Sequence, residues 1–246
     1  MRNFKLISAY DGTLYHGFQR QENALAIQQV MEDTAEKILG QKVTIIGCSR
    51  TDTGVHAREF CLNFRHDSPI SCDGMLRAFN SLLPDDIAML SCEEADMDFH
   101  ARYDCTAKEY VYEIYNSRVK NPFLKSRSLL YGPHLDEELL NNTAQLFVGT
   151  HDFKSFCSVH TAKKTTVRTI HRFEVNREGK FVRMLVKGDG FLYNMVRILV
   201  GTLIYVNEGK FTPTQIEDIL LQKDRTKAGK TAPAHGLYLN KVYYDI

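Results

Sequence analysis

The stretch that most constrains this chain is residues 47–57, with the sequence GCSRTDTGVHA. It lies between an apolar run at 43–46 and a second run in which apolar residues alternate, a pattern typical of strand, tight loop and strand. The loop contains one carboxylate, Asp52, and one guanidinium, Arg50. Glycine permits sharp turns and close approach of a ligand, and loops between rigid strands often carry chemistry. The pattern indicates a candidate site, although an Asx turn at Asp52 would explain the loop without any function.

Hydrophobic periodicity predicts one order of elements twice. In the first half we predict strands at 4–10, 43–48, 59–64 and 87–92, and helices at 27–39 and 75–83. In the second half we predict strands at 109–115, 168–175, 181–187 and 237–244, and helices at 135–148, 191–206 and 212–220. Apart from the last helix, both halves have the ferredoxin-like order β-α-β-β-α-β. The prediction is an α+β fold of two such halves, 1–104 and 105–246, with mainly antiparallel sheets, helices on one side and a central cleft.

Composition and hydrophobicity restrict the class of protein and its expected cellular compartment. The chain has 246 residues, 43% of them hydrophobic, which is enough for a substantial core. No apolar run approaches membrane-spanning length and the N-terminus lacks a signal-peptide pattern, so we expect a cytoplasmic protein with no membrane partner. None of the six cysteines forms a C-x-x-C pair, so no metal is expected. Cys48 stands beside the loop, but the spacing places no base next to it.

The net charge of the chain is close to zero, but its cations are grouped along the sequence. A net charge of +1 on its own argues against a nucleic-acid partner. Three groups of cations nevertheless stand in stretches with at most one acidic residue: Arg118, Lys120, Lys125 and Arg127; Lys163, Lys164, Arg168 and Arg172; and Lys223, Arg225, Lys227 and Lys230. Each group alone could be ordinary solvated surface. Together they predict one basic face.

The predicted helix 191–206 carries a single charge, Arg197, among apolar residues. A helix that is apolar on nearly all sides is buried, and a buried arginine keeps its proton and needs an acidic or multi-carbonyl partner. Asp52 is the best candidate acid, and an aspartate beside an arginine stays ionised at neutral pH. Such a carboxylate suits nucleophilic attack, but a purely structural ion pair would look the same in sequence.

Two tyrosines, Tyr110 and Tyr112, alternate with Val111 on a predicted strand and so share one face. Tyrosines on a sheet face usually pack in the core or across strands. A tyrosine at the edge of a pocket can instead stack on a base and offer its hydroxyl group.

Motifs along almost the whole chain resemble the tRNA pseudouridine synthase A family. The central one is Arg50 to Ala57; the others, in the family's order, are Tyr10–Gln19, Asn80–Ile87, Phe99–Arg102, Gly149–Phe153, Asn194–Arg197 and His235–Leu239. The chain departs from the family pattern at Ser49, where glycine is usual, and at Thr53, where alanine or serine is common. Both residues are small, so we expect the loop to keep its shape.

The resemblance implies an isomerase that converts uridine to pseudouridine at positions 38, 39 and 40 of the tRNA anticodon stem-loop. It implies a homodimer with a basic RNA-binding cleft, and no cofactor or catalytic metal. By position in the motifs, Asp52 is the nucleophile, attacking either C6 of the uracil or C1′ of the ribose. Tyr110 stacks on the uracil, Arg197 holds Asp52, and Arg50 positions the flipped nucleotide.

Two other classes fit parts of the sequence. Asp52-Thr53-Gly54 is also the local signature of aspartic proteases, but those enzymes pair two such loops and this chain has one. A non-catalytic RNA-binding module of the same topology is the second alternative, because fold does not fix function. In that case Asp52 could be replaced without loss of the cellular role.

Overall fold

The computed structural model describes residues 1–158 and 165–244, which divide into two compact units. The first unit comprises 1–106 together with 238–246, and the second comprises 107–237. The sequence-based boundary between 104 and 105 assigned the last strand to the second half. By contacts, that strand belongs to the first unit.

The first unit is built on strands β1 (Arg2–Tyr10), β2 (Ile46–Gly47), β3 (His56–His66) and β4 (Ile87–Ala95), with helices α1 (Ile27–Leu39) and α2 (Cys72–Leu82). Strand β1 lies between β4 and β3 and is antiparallel to both. On the other edge of β3, β2 pairs antiparallel and the chain's last strand, Leu237–Tyr244, pairs parallel. The element order and the strand order β4-β1-β3-β2 are those of a ferredoxin-like half, as the sequence predicts.

Local chemistry explains where the helices of this unit begin and end. Helix α1 ends at Gly40, whose φ of +72° is the left-handed value that favours glycine. Helix α2 begins after Ser71, whose hydroxyl oxygen accepts from the Gly74 amide at 3.1 Å. It ends ahead of Pro84, since the residue before a proline avoids helical geometry. Both helices are amphipathic and bury one face.

The second unit contains strands β5 (Cys105–Asn116), β6 (Leu129–Tyr131), β7 (Gly149–Asp152), β8 (Val167–Glu178) and β9 (Phe181–Gly188), and helices α3 (Glu137–Ala144), α4 (Met195–Asn207) and α5 (Gln215–Gln222). The last strand of the chain, given above, is β10. Strands β5, β9, β8 and β7 lie in that order and are antiparallel, whereas the short β6 runs parallel to β5. Ten of the 13 residues of α4 are buried, which confirms the predicted internal helix.

The α+β class and the mainly antiparallel pairing are confirmed, with local differences. Strand β2 has two residues rather than six, and β6 and β7 were not predicted. Helix α4 begins at Met195 rather than 191 because Asn194 adopts a left-handed φ of 61°, which interrupts a helix. Within 1–158 and 165–244, no helix is both long and apolar enough to cross a membrane.

Candidate active site

Asp52 is the first residue of a tight turn in the loop between β2 and β3. The Val55 amide donates to the Asp52 carbonyl oxygen at 3.1 Å and closes four residues into a turn. Gly54 is the third of these, and its φ of +76° is the positive value that a type II turn requires there. The Asp52 side chain is half-buried, whereas Thr53 is exposed. The turn therefore fixes the backbone at Asp52 while the side chain stays partly accessible.

Hydrogen bonds from β1 and the segment after it hold this loop on both sides of Asp52. The Phe18 amide donates to the Thr51 carbonyl oxygen at 3.1 Å, and the Gly54 amide donates to the Tyr15 carbonyl oxygen at 3.3 Å. The Tyr10 hydroxyl is bonded to the Thr51 hydroxyl at 2.8 Å, and Thr51 is buried. A reactive side chain needs such a supporting shell, because small displacements weaken catalysis strongly.

Two glycines let these segments approach backbone to backbone. A Cβ atom at Gly12 would lie 2.0 Å from the Val55 carbonyl oxygen. One at Gly17 would lie 2.4 Å from the Thr51 carbonyl oxygen, and Gly17 also has a φ of +82°. Only glycine fits either position without displacing the loop. Sequence reasoning included both residues in a family motif but assigned them no role.

His56 closes the other end of the loop and was likewise given no role from the sequence. It is 2% exposed, and its Nδ1 accepts from the Gly12 amide at 3.1 Å. The same nitrogen lies 3.1 Å from Asp11 Oδ1, and the ring stacks on Tyr238 at 4.6 Å. A histidine buried between a backbone amide, a carboxylate and an aromatic ring is a structural support for the turn. Its place in the 47–57 motif is the signal that could have identified it.

Arg50 lies in the same loop, two residues before Asp52, and is exposed. Its guanidinium has no hydrogen bond or ion pair with the described part of the chain. Its five N–H donors are thus open to an anionic ligand, in keeping with the predicted contact to a nucleotide.

Tyr110 lies on β5 in the second unit, opposite Val186 of β9. It is 6% exposed, and the Phe191 ring meets it edge to face, with centroids 5.1 Å apart and planes at 84°. This geometry is favourable for aromatic pairs and limits rotation of the Tyr110 ring. The ring is therefore held in one orientation in this unit, as a stacking platform requires.

Arg197 lies in the first turn of α4 and is half-buried rather than fully buried as predicted. Its Nε donates to the Ala232 carbonyl oxygen at 2.7 Å, and its Nη1 donates to Asn194 Oδ1 at 2.6 Å. The Ala232 amide returns a bond to the Arg197 carbonyl oxygen at 3.0 Å. Within the second unit, the guanidinium is thus oriented by carbonyl oxygens, one of the two kinds of partner expected. Pairing with Asp52, which belongs to the first unit, stays a prediction.

Tyr112 is fully buried, two residues along β5 from Tyr110. Its hydroxyl donates to the Pro233 carbonyl oxygen at 2.8 Å. Burial raises the pKa of Tyr112 well above its ordinary value, and the charge of Arg197 opposes the rise. A phenol held protonated in this way is a structural donor. Tyr112 therefore fits the core alternative that the sequence left open for the tyrosine pair.

Three further features were considered from the sequence: a metal site, the cysteines and the second group of cations. Among the described residues, no group of three or more His, Cys, Asp or Glu side chains could hold a metal ion. None of the six cysteines, all of which lie in the described ranges, forms a disulfide; Cys48, Cys61 and Cys157 are buried, and burial raises the pKa of Cys61 to about 11. Of the second group of cations, Lys163 and Lys164 lie outside the described residues.

Comparisons with known proteins identify the class. The family model described as tRNA pseudouridine synthase matches residues 6–104 and 143–245. Proteins named tRNA pseudouridine synthase A from Acetivibrio thermocellus and Clostridium acetobutylicum are 48% and 44% identical to this chain over 244 residues, which cover 99% of it and 100% of each relative. A protein of that name from Exiguobacterium sibiricum is 44% identical over 99% of this chain and 97% of its own length.

These matches over almost the whole chain define its class as a pseudouridine synthase, which is an isomerase. The chain belongs to the tRNA pseudouridine synthase family.

Proposed function

We propose that this enzyme converts uridine to pseudouridine at positions 38, 39 and 40 in the anticodon stem-loop of tRNAs, with Asp52 as nucleophile and without a cofactor. Family membership supports the reaction class. The observation that carries the role of Asp52 is its position in the 50–57 motif, in a turn whose neighbours on both sides are bonded to one segment. That is the support a nucleophile needs to be placed within a fraction of an ångström.

The reaction is an isomerisation, so its atoms balance without a co-reactant. The target uridine leaves the base stack, since a carboxylate cannot reach it inside a stem. The Asp52 carboxylate attacks C6 of the uracil or C1′ of the ribose, and the bond between N1 and C1′ breaks. The uracil turns and C5 bonds to C1′. If attack is at C1′, C5 displaces the carboxylate as the bond from C5 to C1′ forms; if attack is at C6, loss of the C5 proton expels the carboxylate from C6. In both routes C5 loses a proton, N1 gains one and the carboxylate returns to its starting form.

Three further residues have proposed roles. Tyr110 stacks on the flipped uracil and assists removal of the C5 proton; its fixed ring orientation supports the stacking role. Arg197 orients and stabilises the Asp52 carboxylate, a role that its half-buried, carbonyl-oriented guanidinium supports. Arg50, exposed in the Asp52 loop, binds the backbone of the flipped nucleotide.

The proposed assembly is a cytoplasmic homodimer with a basic cleft for tRNA. The cations named from the sequence all belong to the second unit, and those that the structure describes supply phosphate contacts there. Phosphate contacts position an RNA without reading its sequence, which suits an enzyme that acts on many tRNAs.

The test is position-specific mapping of pseudouridine in an unmodified tRNA transcript after incubation with the purified protein. The Asp52→Asn variant should form no product yet bind tRNA within a few-fold of the wild type. Asp67→Asn is the matched control, because Asp67 is an exposed carboxylate of the same unit, outside the Asp52 loop, that pairs with the N-terminal amine. Product from Asp52→Asn would exclude the nucleophile role. Product confined to positions outside 38–40 would refute the proposed substrate region.

A further inference from the structure

Residues 117–131 form a closed loop on the second unit, which we call the basic loop. Its two ends meet where the Ser117 amide donates to the Tyr131 carbonyl oxygen at 3.0 Å, next to the parallel pairing of β5 with β6. A surface loop of this length whose ends are adjacent is an Ω-loop, and such loops are often functional. The family model matches 6–104 and 143–245, so the basic loop lies outside the matched residues.

Hydrogen bonds inside the basic loop give it a defined shape. The Asn121 side-chain oxygen accepts from the Phe123 amide at 3.0 Å and caps a 3₁₀ turn, Pro122–Leu124. The Leu124 amide donates to the Asn121 carbonyl oxygen at 3.1 Å, and the Arg127 amide donates to the Leu124 carbonyl oxygen at 3.0 Å. A loop that is ordered before binding loses less conformational entropy when a partner binds.

Phe123 stands on this turn with 85% of its surface exposed, the largest exposed fraction of any large apolar side chain in the described residues. Val119 on the same loop is 72% exposed. Single exposed apolar residues are ordinary on a protein surface. An aromatic ring presented by a capped, ordered turn is different, because its faces are available for stacking without any rearrangement of the loop.

The charge of the basic loop is of one sign. It contains Arg118, Lys120, Lys125 and Arg127 and no acidic residue. All four are exposed, and the first three have no ion pair with any described carboxylate. The other two groups of cations are partly neutralised, since Arg172 is bonded to Glu174 and Lys223 lies 2.8 Å from Asp152.

We propose that the basic loop is an RNA-binding surface at which Phe123 stacks on an unpaired base while Arg118, Lys120 and Lys125 bind the flanking phosphates. An aromatic side chain among cations is the chemistry that binds single-stranded nucleic acid. A second copy of this chain fits less well, because a two-fold contact here would bring eight like charges together, four from each loop. The inference rests on the proposed function for the identity of the RNA as tRNA.

The first experiment replaces Phe123 with alanine, leucine and tryptophan and measures the Kd and KM for an unmodified tRNA transcript. Loss of one stacked base weakens binding by about 5- to 150-fold. We expect that loss for alanine and leucine and near wild-type affinity for tryptophan, with kcat at saturating tRNA unchanged within about twofold. Leu221→Ala is the control, since Leu221 is an apolar side chain of the same unit with 77% exposure.

The second experiment replaces Lys120 and Lys125 together with alanine and measures tRNA affinity against salt concentration. Each lost phosphate contact lowers the slope of log K against log salt by about 0.7–0.9, so the double variant should lower it by roughly 1.5. An unchanged slope would overturn the phosphate contacts.

Three results would overturn the stacking role. The first two are wild-type tRNA affinity in Phe123→Ala and full retention of tRNA affinity in Phe123→Leu. The third is a change in the oligomeric state of the Phe123 variants, measured by sedimentation, which would make the loop a contact between copies of the chain. Failure of the proposed function can be distinguished from failure of the stacking role. If the proposed function is wrong, the wild type forms no pseudouridine at positions 38–40 of any tRNA, whereas the basic-loop variants still lose affinity for the RNA that the wild type binds.

Discussion

Replacement of Gly17 by alanine should displace the turn that holds Asp52. Gly17 has a φ of +82°, and its new Cβ would lie 2.4 Å from the Thr51 carbonyl oxygen. Ordinary van der Waals contact begins at 3.4 Å, so the two backbones must separate by about 1.0 Å. The atom that must move is a backbone atom of the residue directly before Asp52, so no side-chain rotation relieves the contact.

The expected magnitude has two parts. A non-glycine residue in the left-handed region costs about 1–2 kcal/mol, and forced overpacking adds about 1–3 kcal/mol. The free energy of unfolding should therefore fall by about 2–5 kcal/mol. A displacement of about 1 Å at a reactive group lowers kcat by about 100-fold. Because all the proposed tRNA contacts except those of the Asp52 loop lie in the second unit, Kd should stay within a few-fold of the wild type.

The Gly40→Ala variant separates the cost of the left-handed backbone from the cost of the close approach. Gly40 ends α1 with a φ of +72°, and a Cβ there meets nothing within 4 Å. It therefore has the strain of the left-handed backbone without the close approach. This control should lose only about 1–2 kcal/mol of stability and keep kcat.

Urea unfolding gives the stabilities, and single-turnover pseudouridine formation at saturating tRNA gives the rates. The reasoning is refuted if Gly17→Ala and Gly40→Ala lose equal stability and both keep the wild-type rate. It is also refuted if Gly17→Ala loses tRNA affinity in proportion to rate, since the defect would then lie in binding.

Three further predictions concern single side chains. Tyr112→Phe leaves the Pro233 carbonyl without its donor, so urea unfolding should show a loss of about 1 kcal/mol, and an unchanged midpoint would contradict this. Burial disfavours the charge of Asp152, but bonds from Lys223 and Thr166 outweigh it and lower the pKa of Asp152. The contribution of these bonds, under about 1 kcal/mol for so exposed a pair, is therefore present at neutral pH and is lost as pH falls below 3.8 and through the lowered pKa of the folded protein. Asp152→Asn should thus be less stable than wild type at pH 7, and the difference should shrink as the pH is lowered through this range. Arg197→Met should lower kcat, with the acidic limb of the pH–rate profile moved to higher pH; an unchanged rate at neutral pH would exclude the proposed pairing with Asp52.

Periodicity and hydrophobicity predicted the longer elements and missed the shortest ones. The apolar residues of α2 recur at helical spacing, α4 is apolar on nearly all sides, and Phe60, Leu62 and Phe64 alternate along β3, so the type of each was correct from sequence. Strands β6 and β7 have three and four residues, too few to show a period. Helix α4 was predicted four residues too early because nothing in the sequence shows that Asn194 adopts a left-handed φ.

The sequence predicted the loop that carries the candidate site, but not the contacts that hold this loop in place. The motif located Asp52 and Arg50 and placed both in a turn between two strands. The contacts of Gly12 and Gly17 with the loop join residues about 35–45 positions apart, and such distances depend on the register of β1 against β3. The role of His56 depends on the same register. Burial of Arg197 was overestimated because its helix is apolar, whereas its guanidinium reaches out to the Ala232 and Asn194 oxygens.

The position of β10 has a consequence for synthesis of the protein. The first unit takes its last strand from the final residues of the chain, where Tyr238 and Leu239 pair with His56 and Ala57. A ribosome delivers those residues more than 130 positions after the rest of that unit. The strand end that follows the Asp52 turn therefore gains this partner only after the second unit has been synthesised. Until then β3 presents an open edge at His56 and Ala57 to other nascent chains, whereas the Asp52 turn can already bond to Tyr15 and Phe18.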